Sequence, residues 1–408
     1  MNIKPCITLL AATLLALPAC ASNYSVGGAN QKFFYSANWG NNSHTINRIP
    51  SMEEYSSISV GGLGAKPAHI VPDPRGRYIF TINHGGNFVS VIDAKSGKLV
   101  KNIKTGSDKS KHGQGHQYYW SQDGRYLWVG ELDDGTLVEI DSESLEVSRR
   151  VKVAELPYGM IPAEKEGYIF VLGQGKGPVD VERDGNKVAM VRISDFKVVK
   201  EITVGRAPHE MEYFNGKVYC SNIGIGQRTV TIIDAATGDV EKTLDVGFEN
   251  PHFTEAAANN GILVVASKSV PELVLIDSKT NTVTGRWRSD DPNVVPAKSR
   301  HPTYHPSGDY IYFPLGYKDG TSRIHQISVP GLKLISVSPP APSTIHALLW
   351  NNLHTKLYAS TEGDAKAGVA PTVTVYEVNA TGKLKKIADI YASVPEGEDT
   401  VGHHGSLD

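Results

Sequence analysis

Cysteine is nearly absent: Cys6, Cys20 and Cys220 are the only three in 408 residues. Two of them fall in the apolar N-terminal stretch, so no disulfide can form within the remaining chain even in an oxidising compartment. No Cys-x-x-Cys-His segment occurs, which excludes covalently attached haem. Cys220 lies in an alternating apolar stretch and reads as a small buried hydrophobe. An excess of one charge is also lacking. With 41 Lys and Arg against 43 Asp and Glu, the net charge is −2, and no long run of either sign creates a field to attract nucleic acid or an anionic membrane surface. A nucleic-acid partner is therefore not expected. There is no Gly-x-Ser-x-Gly elbow, P-loop, dinucleotide fingerprint or zincin helix. Asp180-Val-Glu-Arg-Asp-Gly185 has acidic spacing but lacks the closing glutamate of a calcium loop, and reads as a hairpin tip.

A long apolar run occurs once. Lys4, the apolar residues 7–17 and Pro18-Ala-Cys20-Ala-Ser22 have the layout of a secretory signal. Two cleavage readings are open: a lipobox that leaves a lipid anchor on Cys20, holding the domain at a membrane without a spanning helix, or ordinary cleavage releasing a soluble protein. Residues 1–19 are assigned to the signal, 20–31 to a linker and 32–408 to one domain, exported to the periplasm and, on the lipobox reading, membrane-anchored there as a lipoprotein.

What is abundant is glycine, 40 residues of it, together with 40% hydrophobic content, a turn-rich composition able to bury a core. The arrangement is periodic. Segments such as Ser90-Val-Ile-Asp93, Val138-Glu-Ile-Asp141 and Val274-Leu-Ile-Asp277 recur, each preceded by an alternating strand such as Tyr78-Ile-Phe-Thr-Ile-Asn83 and followed by a polar turn and a further strand. Period-2 alternation and Asp/Gly turns predict strands throughout, with no long helix. The chain is expected to be all-β.

Four short strands in repeats of 43 to 57 residues are the signature of β-propeller blades. The phrase Val91-Ile-Asp-Ala-Lys-Ser-Gly-Lys-Leu-Val100 resembles the unit of YVTN-repeat propellers, and the resemblance covers nearly all of residues 30–408. Eight units are counted, with seven as the alternative if one weak unit is an insertion. The first unit lacks an innermost strand, and Gly402-His-His-Gly-Ser-Leu-Asp408 looks like an innermost strand with nothing after it. Their pairing is expected to close the ring and remove an open edge. The longest insertion, residues 173–187, falls in the fourth unit.

Fourteen histidines are present, and seven of the eight units place one at the opening of the first strand: His69, His116, His209, His252, His301, His346 and the pair His403-His404. First strands of propeller blades line the axial channel, so these imidazoles are expected to meet at its mouth. They read as packing residues bonded to the neighbouring blade, or as ligands, since neutral imidazole suits copper, zinc, iron and nickel. Loops after the second strands open on the same face. Glu131, Glu210 and Glu255 are candidates to move a proton near a metal, and Lys268 or Arg206 to hold an anion there. His305, His354 and His325 are expected to be ordinary.

Two further resemblances are partial. The propeller of nitrous oxide reductase, and the thiocyanate dehydrogenases similar to it, hold multinuclear copper at the channel mouth through histidines from successive blades, including a His-His pair. That similarity implies a copper-dependent oxidoreductase acting on a small inorganic or one-carbon substrate. A periplasmic electron-transfer partner would be needed, because no cupredoxin-type domain is present. The haem-binding propeller of cytochrome-type nitrite reductases uses one or two histidines at the same mouth. Likeness to it implies a non-enzymatic carrier or assembly protein for a haem-type tetrapyrrole or a metal. A third reading is an interaction scaffold of the cell envelope.

Overall fold

The computed structural model describes residues 33–38, 43–48, 54–59, 67–109, 112–256, 260–351, 353–391 and 402–407. The expected signal, the lipid site Cys20 and the linker 20–31 lie outside them. The side chains of residues 33–59, of strand 402–407 and of His116 are likewise outside the described set. Strand follows strand, and the described residues form eight antiparallel sheets, seven of four strands and one of five. No helix among them is long and apolar enough to cross a membrane.

Seven sheets take their strands in sequence order, as expected for hairpin-connected units: Pro67–Pro72, Tyr78–Asn83, Phe88–Asp93 and Leu99–Lys104 make one. The remaining sheet joins the two ends of the chain. Its outer strands are Phe33–Asn38, Ser43–Arg48 and Glu54–Ser59, and its innermost is Gly402–Leu407, paired antiparallel with Phe34 opposite Leu407 and Ser36 opposite Gly405. The innermost strand of the eighth sheet, Ile345–Trp350, packs beside this closing strand, which in turn packs beside Pro67–Pro72. The ring is thereby closed, and the fold is a β-propeller. Numbered along the chain, these sheets are called blades one to eight below.

Burial explains why each strand takes its place. The second and third strands of a blade are buried almost end to end, as in Tyr168–Gly173 and Val188 to Val191 between its neighbours, because both faces are covered by adjacent blades. The fourth strands alternate, as Glu146–Lys152 does, with exposed and half-buried residues in turn. Phe80, Phe170 and Phe313 are fully buried between sheets, and each such side chain contributes about 2 kcal/mol. The turns use the expected chemistry. Gly76 closes the Asp73 turn at φ 68° and Gly124 the Ser121 turn at φ 68°, a backbone region that L side chains avoid.

Candidate functional site: a histidine-lined channel mouth

The first strands are not regular where the histidines stand. Register shifts occur between Pro67 and His69, Pro208 and Met211, Pro251 and Phe253, and Ile345 and Ala347. These are bulges, which bend a strand and re-aim its side chains. His209, His252 and His346 all sit inside one. In blade seven His301 lies between Val294–Ser299 and Thr303–Tyr304, two pieces of a broken first strand.

Four consecutive blades, five to eight, bring His209, His252, His301 and His346 into one cluster. The rings of His209 and His252 are 3.8 Å apart at 42°, and those of His301 and His346 are 5.8 Å apart at 41°. His69 forms a separate contact with His84 of its own blade, at 5.4 Å. His116 lies in Gln114–Trp120 and His403 and His404 in the closing strand, but their side chains are outside the described residues. His209 and His301 also line one cavity together with His69. Among the described residues, no three His, Cys, Asp or Glu side chains close on one point as a metal would require.

Each imidazole of the cluster has an oxygen beside it. His346 Nδ1 is 2.8 Å from Glu362 Oε1, and the same oxygen accepts from Arg300 Nε at 3.0 Å. His252 Nδ1 is 3.2 Å from Asn250 Oδ1. His301 Nδ1 faces Glu210 Oε1 at 3.6 Å, and His209 Nε2 faces Asp180 Oδ2 at 3.8 Å. Burial holds His209, His252 and His301 below the usual histidine range, so they are neutral at physiological pH. Burial works against Glu362, yet the His346 hydrogen bond and the Arg300 charge hold its carboxyl far below the usual range. Asp180 is likewise opposed by burial and kept at about 2 by His209, Arg183 and Lys268.

Below the mouth lies a cavity of about 80 Å³ lined by His69, His209 and His301, three tyrosines, and Glu210, Glu212 and Glu255. Desolvation pushes Glu210 up to about 8 and Glu255 to about 7, and lifts Glu212 well above the carboxylate range with further help from the other two.

Of the residues expected to assist chemistry, Glu210 and Lys268 join this cluster. Burial lowers the Lys268 ammonium, with Arg300 adding to the effect, while Asp180 and Glu362, the two carboxylates held low, work against it. Glu131 is not among the residues that line the cavity. It accepts from Gln114 Nε2 at 2.7 Å in a fully buried network, and desolvation raises it to about 7. His325 is a core residue against Tyr317 and Trp287, and His305 and His354 flank Trp350.

Asp180, Arg183, Arg300 and Glu362 were not singled out as mouth residues in the sequence. The insertion 173–187 is not a bare hairpin tip: its short turn Asp180–Glu182 carries Asp180 to His209, and Arg183 stands 5.4 Å over the ring of Tyr158. Glu362 had a readable signal. It follows the second strand of its blade directly, as His84 and Lys268 follow theirs.

No family model matches the chain, and no curated sequence does. Solved structures do. The chain is similar to the dihydro-haem d1 dehydrogenase NirN, at 16% identity over 95% of this chain and 78% of that one, with a TM-score of 0.68. AztD from Citrobacter koseri, in its apo form, matches at 14% identity over 93% of this chain and 99% of that one, TM-score 0.62. Hydrazine synthase of Kuenenia stuttgartiensis matches at 16% identity over 79% and 97%, TM-score 0.55. All three are β-propellers, and so is this chain. At such identities the likeness concerns the fold.

Proposed function

We infer that the protein is an exported carrier or assembly protein that holds a metal tetrapyrrole of the haem class across its channel mouth, with His346 as the metal ligand. The observation that carries this is the Glu362–His346 hydrogen bond of 2.8 Å. A carboxylate on one ring nitrogen fixes the tautomer and orientation of a metal-ligating histidine and raises its basicity. That no three His, Cys, Asp or Glu side chains among the described residues close on one point favours a metal that arrives with four nitrogens of its own and asks the protein for one or two ligands. A bare ion would need three or four protein donors at one point.

The surroundings suit such a ligand. Lys268, Arg300 and Arg183 stand at the mouth to meet the carboxylates that haem-class macrocycles carry. Beside them the rim is apolar: Val179 is 51% and Ile225 64% exposed, and the two loops are tied by the Ile225 N–H to Val181 carbonyl bond of 3.0 Å. An apolar lip next to cations matches a flat macrocycle with charged edges. The dihydro-haem d1 dehydrogenase of the same fold adds support. Bound, the metal would supply the ligation or redox chemistry. The chain's own residues would orient it and keep His209, His252 and His301 neutral around it.

The deciding experiment titrates the exported, untagged protein with iron protoporphyrin IX and with copper. One haem per chain with a sharp Soret band, lost in His346→Ala and kept in His305→Ala, supports the reading. Two or more coppers per chain, lost when His209 and His252 are replaced, with no saturable haem binding, overturns it and favours the copper oxidoreductase.

A further inference from the structure

The cavity beneath the mouth is lined by buried polar atoms that have no hydrogen-bond partner among the described residues: Glu212 Oε1, Gln117 Oε1, Thr254 Oγ1 and His209 Nδ1. Glu212 is 3%, Thr254 9% and His209 5% exposed. Their orientation is imposed. Gln117 spends its amide N–H₂ on the Met211 carbonyl at 3.2 Å, which turns its oxygen away from that bond. Asp180 beside His209 Nε2 favours the proton there and leaves the lone pair on Nδ1. Each buried acceptor without a donor is costly, and three in one cavity, beside the Thr254 hydroxyl that can accept as well as donate, call for a donor-rich occupant.

Charge narrows the class. Glu210, Glu212 and Glu255 share this cavity, and carboxylates crowded together out of water repel one another unless a cation or protons intervene. Tyr118 and Tyr158 supply aromatic wall, which also attracts cations. Among the described residues no three such donors close on one point, whereas hydrogen bonds from an N–H₃⁺ or N–H₄⁺ group tolerate the longer spacing. The volume of about 80 Å³ admits two or three groups the size of water. We propose that this cavity binds one small hydrogen-bond-donating cation of the ammonium class, ammonium or methylammonium, held by Glu212, Gln117, Thr254 and His209. It is separate from the tetrapyrrole reading of the mouth and is tested without haem.

The experiment titrates the full-length, haem-free protein with ¹⁵N-ammonium and with methylammonium near neutral pH, following the bound ammonium by proton–nitrogen NMR and the heat of binding by calorimetry. The expected result is one saturable site per chain. Glu212→Gln, which keeps the size of the side chain, and Thr254→Val are each expected to weaken it about tenfold or more. Glu131→Gln, a buried carboxyl outside the cavity, leaves it unchanged. Thermal unfolding of each variant checks that it is folded. Absence of saturation in the wild type, wild-type affinity in both Glu212→Gln and Thr254→Val, or equal competition by potassium overturns the proposal.

Discussion

Glu362 holds His346 through a hydrogen bond of 2.8 Å from Nδ1 to Oε1. The same oxygen takes Arg300 Nε at 3.0 Å, so one carboxylate orients both an imidazole and a guanidinium on the channel mouth. Glu362→Gln keeps the shape and removes the charge. It is expected to weaken haem affinity about 10- to 100-fold, read from the Soret band in a titration, with circular dichroism unchanged. Wild-type affinity in this variant would mean that Glu362 does not position the ligand.

Glu131 sets a pH dependence of stability. A solvated glutamate releases its proton near 4.5, while desolvation raises buried Glu131 to about 7. The folded state therefore binds more protons between these values, and this contribution is present below pH 4.5 and lost as pH rises through 7. A rise of this size corresponds to on the order of 3 kcal/mol. Glu131→Gln should thus gain stability relative to the wild type between pH 5 and 8, measured by urea unfolding at each pH. A difference that does not change with pH would show that Glu131 is ionised in the folded protein.

Glu139 is 1% exposed and accepts from Trp128 Nε1 at 3.0 Å, Ser148 Oγ at 2.7 Å and Arg149 Nη2 at 2.6 Å. Burial alone would raise its carboxyl, but these partners outweigh it and hold the group below its usual range. Arg149 also donates to the Ile193 carbonyl of the next blade at 2.9 Å. Arg149→Leu leaves a buried carboxylate without its cation and is expected to cost about 3 to 5 kcal/mol. Adding Glu139→Gln should recover much of that, and denaturant unfolding of the three variants checks the cycle.

Removing residues 402–408 takes away the innermost strand of blade one and leaves Phe33–Asn38 as an open edge. An unpaired strand edge recruits other chains. The truncated protein is expected to melt lower than the intact one and to form soluble oligomers on size-exclusion chromatography. A monomer of unchanged melting temperature would show that the ring does not depend on this closure.

Much of the fold was legible because it rests on local, repeated signals. Alternation in segments such as Tyr78–Asn83, turn chemistry at Asp73 to Gly76 and the unpaired strand at the C-terminus follow from period-2 burial and from the need to cover an edge, and the structure has these strands, that turn and that closure. The site was legible only in outline. Glu210 stands next to a blade-opening histidine and Lys268 directly after a second strand, positions that can be read along the chain. Glu131 is the last residue of its second strand, opposite Gln114 in the register, and bonds that amide, whereas Lys268 stands one residue beyond the end of its strand.

The sequence alone determines that this chain is a ring of four-stranded units and that a histidine opens the first strand of most of them, since both depend on spacing along one chain. Only the tertiary structure decides what those histidines do. The bulges at His209, His252 and His346 break the alternation from which side-chain direction could be read. Contacts such as Asp180 with His209 and Glu362 with Arg300 join residues from different blades, whose closeness is set by ring geometry and leaves no local pattern in the sequence.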